Sequence, residues 1–191
     1  MTGKKVFTYM VIGAAVLLLA VSVGTVAAHG PTLTPQEQLG KALFFDKNLS
    51  EPHGQACAAC HSPTVGWTGP DPKINAKGAV YEGAVKGVFG NRKPPSAAYG
   101  GDSPILSGPP FVGGMFWDGR ATGSRLSDPL AEQAEGPFLN PREQNNPDEK
   151  AVVDKALASS YRHLFTQVCG SGKPVAEYYD CIGFSIAAYE R

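Results

Sequence analysis

The sequence predicts a mainly α fold interrupted by one long irregular segment. Three observations carry that expectation. Helix-start signals recur on both sides of the chain's middle, each a capping residue followed by proline or an acidic first turn. Alternating strand patterns are weak throughout. Between Ser62 and Leu126 the chain holds 13 glycines and 8 prolines, a composition that breaks regular structure. With 191 residues and 42% hydrophobic content, there is material for one ordinary core. Formal net charge is zero, 17 basic against 17 acidic residues. That balance gives no basic patch for a nucleic-acid partner.

The first segment is expected to stand outside the fold. Lys4 and Lys5 precede an uncharged run from Val6 to Val26, and "TVAAHG" supplies small residues ending at Ala28. Residues 1–28 therefore read as a cleaved signal peptide or as an N-terminal membrane anchor. Either reading exports residues 29–191, which carry a net charge of −2 once Lys4 and Lys5 are removed. The expected location is periplasmic, with anchoring to the inner membrane as the variant.

Each helix has a local reason. In "TLTPQEQLGKALFFD", Thr34 caps, Pro35 fits the first turn and Glu37 completes a capping box. Leu39, Leu43 and Phe44 then form a stripe. "QACAACH" reads as the first turn or two of a short helix. Asp128 and Pro129 open "DPLAEQAE", which Gly136-Pro137 is expected to end. Asn146 and Pro147 are expected to open "NPDEKAVVDKAL", with Asp148 and Glu149 near the positive end of its dipole. "SSYRHLFTQV" gives a short helix. Pro174 opens the last one, where Val175, Tyr178, Ile182, Ile186 and Tyr189 share a face. That helix still runs at Arg191, so the domain reads as cut off rather than finished.

The cysteines carry the chemistry. A structural zinc site needs four ligands, and "CAACH" has no second pair to join it. A redox dithiol would want a βαβ context, which is absent. C-x-x-C-H in an exported chain reads as attachment of one covalent c-type haem, through Cys57 and Cys60, with His61 as the proximal iron ligand. The irregular middle is then explained as chain wrapped around a large flat cofactor. Cys169 and Cys181 are left over, and a disulfide between them is expected. For the other side of the iron, the candidates are Met115, His53, His163 and His29. Ligation by Met115 would make a mono-haem electron-transfer cytochrome.

Later motifs favour a different outcome. "LGKALFFDKNLS", "CAACH", "GGMFWDGRATG", "PLAEQAEGPFLNPREQ" and "YRHLF" resemble, in order, the N-terminal domain of the bacterial di-haem cytochrome c peroxidase and MauG family. The resemblance runs from about Leu39 to Arg191. It implies a cytochrome c-like haem domain with long irregular loops around the haem. It also implies reduction of hydrogen peroxide with electrons from a small redox protein, a cytochrome c or a cupredoxin. "QAEGPFLNPRE" matches the family's distal pair at Gln133 and Glu143, and Trp117 matches the tryptophan between its two haems. Arg120 is a candidate partner for a haem propionate.

The sequence also departs from that pattern. Six extra residues separate Trp117 from Gln133. Lys93 falls where the family has a calcium-linked asparagine, and a lysine cannot coordinate calcium. Lys77 stands where some members place a switchable histidine ligand. A second haem domain is not in the sequence, so a separate subunit or further chain is expected to carry it. That leaves, by expectation, an uncovered apolar patch near Trp117 and the last helix.

Overall fold

In this computed structural model the described residues are 32–191; the expected leader or anchor at residues 1–28 and His29 lie outside them. The first helix, α1 (Pro35–Phe45), begins with the expected capping box. The Glu37 amide donates to the Thr34 hydroxyl at 3.3 Å, and the Thr34 amide donates to the Glu37 carboxylate at 2.6 Å. One helical turn, α2 (Cys57–Cys60), follows. A 3₁₀ turn at Pro63–Val65 and the single turn α3 (Pro72–Asn75), capped by Asp71, interrupt the irregular middle. From there to Asp128 the described residues hold only isolated β-bridges.

The helical half then resumes with α4 (Pro129–Leu139), α5 (Glu149–Leu157), α6 (Arg162–Cys169) and α7 (Val175–Glu190). Helix α4 does not stop at Gly136-Pro137 as expected; it runs a further turn, to Leu139, with Pro137 inside it. Proline's ring disfavours the helical region for the preceding residue mainly through that residue's Cβ, and Gly136 has none. The carbonyls of this last turn find other donors. The Tyr179 hydroxyl donates to the Glu135 carbonyl at 2.7 Å, the Gln144 amide to Pro137 at 3.1 Å, and Asn146 to Phe138 at 2.9 Å.

The cap of α5 also differs from expectation. Asp148, not Asn146, accepts from the Ala151 amide at 2.8 Å. Asn146 is buried, and its side-chain amide donates to the carbonyls of Leu49 and Phe138 while its oxygen accepts from Lys155. Buried amide groups take partners before they take caps, because leaving one unmade costs about 1–3 kcal/mol.

Helix α7 is the central element and packs against α1, α4 and α5. Leu39, Leu43, Phe44, Phe138, Val152, Phe165, Ile182 and Ile186 close the core around it, each worth about 1.5–3 kcal/mol of apolar burial. The expectation of an uncovered last helix is therefore wrong: its apolar face is the centre of the domain. Near Trp117 the expected exposed apolar side chains are present: Trp117 is 64% and Phe111 80% exposed, beside Val112. At the other end of the chain, α6 and α7 are joined by a Cys169–Cys181 disulfide with Cα atoms 5.8 Å apart. Replacing both cysteines with serine is expected to lower unfolding free energy by about 2–4 kcal/mol, as loop-closure entropy returns to the unfolded chain. Denaturant titration of the parent and the double variant under oxidising conditions would check it.

Candidate functional site

One cleft gathers the residues singled out in the sequence. Cys57, Cys60, His61, Met115, Trp117, Arg120, Gln133 and Glu143 all line it. Its floor is α2 and the end of α7, one wall is α4, and the rim comes from loops around residues 81–97, 115–120 and 140–144. The cavity volume is about 330 Å³. His53 and His163 are exposed and do not line it. Lys77 is exposed just beyond α3.

Helix α2 sets the two thiols three residues apart, hence on one face of its turn. His61 follows as the C-cap, its backbone amide donating to the Cys57 carbonyl at 2.9 Å. Its ring nitrogen Nδ1 lies 2.9 Å from the Pro95 carbonyl and 3.3 Å from the Trp67 carbonyl. Carbonyls only accept, so Nδ1 carries the proton and Nε2 keeps its lone pair. Burial also lowers the imidazole pKa, against the pull of those two carbonyls. A neutral ring with its second nitrogen fixed by backbone is the form a metal ligand needs.

Burial pushes the Cys57 thiol up to about 12, helped by the charge of Glu190, and the Cys60 thiol up to about 11, helped by that of Glu143. Two glutamines reach the sulfurs: the Gln144 amide donates to Cys57 at 3.6 Å, and the Gln55 amide to Cys60 at 3.5 Å. Four cationic side chains, Arg92, Lys93, Arg120 and Arg142, line the same cleft. Two thiols, an adjacent imidazole with a free nitrogen, a deep cleft and cations for carboxylates together fit a covalently held haem.

Helix α4 presents Leu130, Gln133, Ala134 and Pro137 to the cleft, the i, i+3, i+4, i+7 spacing of one helical face. The turn after it delivers Glu143. That turn is tied by the Glu143 amide to the Asn140 carbonyl at 3.0 Å, and by the Ala84 amide to the Glu143 carbonyl at 2.7 Å. Gly83 is needed at this contact, because any Cβ there would overlap the Arg142 carbonyl. Burial raises the Glu143 carboxyl above its ordinary range, outweighing the attraction of Arg120 and a hydrogen bond from Asn140.

The rim residues are more exposed. Arg120 donates to Asp118 at 2.8 Å and lies 3.7 Å over the Phe116 ring. One face of its guanidinium is thus held by an aromatic ring and one nitrogen by a carboxylate. Trp117 is 64% exposed, and its indole N–H donates to the Lys93 carbonyl at 3.3 Å. Met115 packs with Leu130, Ala131 and Ala187.

Sequence reasoning missed three cleft residues. Gln144 ends the quoted stretch "PLAEQAEGPFLNPREQ" and Gln55 begins "QACAACH", but nothing in their spacing marks a role for either. Glu190 did carry a signal: it continues the Ile182, Ile186 stripe of α7 with a carboxylate. It lines the cleft, and burial pushes it up to about 8 against the field of Arg191.

The family model described as di-haem cytochrome c peroxidase matches residues 34–191. The methylamine utilization protein MauG of Paracoccus denitrificans is 33% identical over 180 residues, covering 91% of this chain and 44% of that protein. The cytochrome c551 peroxidase of Pseudomonas aeruginosa is 33% identical over 166 residues, covering 84% of this chain and 39% of that protein. Among solved structures, the diheme peroxidase BthA from Burkholderia thailandensis superposes with a TM-score of 0.69 at 29% identity, covering 83% of this chain and 41% of that one. The chain thus spans less than half the length of these relatives.

Proposed function

Because this chain belongs to the di-haem cytochrome c peroxidase family, we propose that it forms the peroxide-reducing haem half of such an enzyme. The observation that carries the reading is the single cleft. It brings the C-x-x-C-H ligands within one wall of Gln133 and Glu143, residues that lie more than seventy positions away in sequence. Cys57 and Cys60 would hold one haem c by thioether bonds, and His61, with Nε2 free, would ligate its iron. Bound there, the haem supplies the redox-active iron on which peroxide is reduced.

The chain's own residues supply the rest. Reduction of hydrogen peroxide to two waters consumes two electrons and two protons. Glu143 takes the proton of the inner peroxide oxygen and returns it to the outer one, which requires a carboxyl of raised pKa on a short tether. Gln133 donates a side-chain N–H to the oxygen where negative charge develops. Trp117 takes in electrons from outside the cleft, a role supported by its 64% exposure and its indole N–H anchored on the Lys93 carbonyl. The electrons come from a small donor protein, a cytochrome c or a cupredoxin, by way of a second haem domain or subunit on the exposed Phe111–Trp117 surface. Arg120, steadied by Phe116, pairs with a haem carboxylate. Export to the periplasm supplies the oxidising compartment in which the Cys169–Cys181 bond persists.

The test is spectroscopic. Expressed with haem maturation, the chain is expected to gain the mass of one haem, and Cys57→Ser with Cys60→Ser to lose it. The ferric protein is expected to be high-spin and to react with peroxide. A low-spin spectrum with a thioether band would instead assign Met115 as sixth ligand and make the domain an electron carrier. A chain with no added haem mass would sink both readings.

A further inference from the structure

Two buried oxygens in the cleft have no hydrogen-bond partner among the described residues: Gln144 Oε1 and Glu190 Oε2. Leaving such atoms bare costs about 1–3 kcal/mol each, so their persistence asks for a use. Both flank Cys57. The Gln144 amide reaches its sulfur at 3.6 Å, and the Glu190 charge acts on its thiol. Gln144 is only 3% exposed. Its backbone is pinned on both sides, by its amide to Pro137 at 3.1 Å and by the Glu51 amide to its carbonyl at 2.7 Å.

The orientation of that side chain follows from the attachment chemistry. A thioether sulfur has no hydrogen and can only accept. Once Cys57 is alkylated, only the NH₂ of Gln144 can face it, and Oε1 is committed to accepting from the cleft side. Glu190, when it carries its proton, is a donor. Neither oxygen is hydrogen-bonded to the other; a buried water, which needs two to four polar partners, would satisfy both if it bridged them.

We propose that Glu190 is a redox-linked proton site of the haem cleft, and that Gln144 holds its protonated form through that water. The inference rests on the haem peroxidase reading above. As one electron arrives from the external donor protein, Glu190 takes one proton from solvent, so the net charge of the cleft is unchanged. The proton is then stored one helix turn from the core, within the cleft where peroxide reduction consumes protons. Glu190 acts through the haem and Glu143, and is a positioning residue rather than a catalytic one. Its ordinary ionisation is opposed by burial at the end of α7 and favoured by Arg191, which is itself committed to Asp128 at 2.8 Å. Its charge acts on Cys57 of α2, and the other ionisable groups lining the cleft are Cys60, His61, Tyr81, Glu82, Arg92, Lys93, Asp118, Arg120, Arg142 and Glu143.

The experiment is a potentiometric titration of the holoprotein between about pH 6 and 9. The parent's reduction potential is expected to fall with rising pH through the window centred near 8, with a slope approaching 59 mV per tenfold change in proton concentration. Glu190→Gln is expected to flatten that slope, Glu190→Asp to retain one, and Gln144→Met to move the inflection to lower pH. Covalent haem content should be equal in all four proteins. An unchanged slope in Glu190→Gln with full haem content overturns the proposal and leaves the haem reading standing. Absence of covalent haem in the parent overturns the reading on which it rests.

Discussion

Glu143→Gln is expected to slow the reaction of the ferric haem-loaded protein with peroxide by about 10²–10⁴-fold, the usual contribution of a positioned acid–base group. Glutamine keeps the shape and the link to Asn140 but cannot shuttle a proton. Covalent haem content and the resting spectrum should not change, which separates loss of chemistry from loss of the site. The same carboxyl fixes the sign of the pH dependence. It must be ionised to accept the first proton, and burial raises its pKa above the ordinary carboxylate range. The reaction rate should therefore fall as pH drops through that raised value, at a higher pH than a solvated glutamate would give. Stopped-flow traces across pH would read both effects. A Glu143→Gln protein with parental rate would remove it from the mechanism.

The largest structural effect is expected at Gly40→Ala. Helix propensity alone predicts the opposite, since alanine is worth about 0.5–1 kcal/mol over glycine in a helix interior. Packing reverses the sign. A Cβ at this position would overlap the Ser185 carbonyl of α7 and approach the Tyr189 Cβ at 2.9 Å. The nearest obstruction is the backbone of α7 at Ser185, and the Tyr189 Cβ is fixed to that same backbone, so no flexible side chain can swing away. Overpacking of this kind costs about 1–3 kcal/mol, sometimes more, and this site belongs at the upper end. Since α1 and α7 form the main helix pair of the core, a loss of about 3 kcal/mol is a large share of a domain's usual 5–15. A denaturation midpoint at or above the parent's would show that the two helices can separate freely.

How much of this was legible beforehand depended on whether a signal was local. The α1 capping box and the Asp128 cap need only a few neighbouring residues, and the structure has them where the sequence put them. Helix α4 was read too short because a Gly-Pro pair ordinarily ends a helix. What carried it on were donors from Tyr179, Gln144 and Asn146, up to 44 residues away. Asn146 is no cap for a related reason: its side chain reaches Leu49, 97 residues away, and Phe138 in the last turn of α4. The cleft was legible where a motif encoded it, at Cys57, Cys60, His61, Gln133 and Glu143. It was illegible at Gln144, whose role arises only when the chain closes around Cys57, while at Glu190 the sole signal was a carboxylate continuing the Ile182, Ile186 stripe.

The burial of the two α2 thiols has a consequence for biogenesis. Four cysteines can pair in three ways. In an oxidising compartment the pairing that contains Cys169–Cys181 would, if completed, also consume both haem-attachment sulfurs. The useful product is therefore half-oxidised, with one bond made and two thiols spared. Folding protects that state, because burial pushes Cys57 up to about 12 and Cys60 up to about 11. Almost no thiolate remains near neutral pH to attack a disulfide. The same scarcity of thiolate would slow addition to a haem vinyl group. On the reading proposed above, attachment at Cys57 and Cys60 would therefore go fastest before the chain has closed around them.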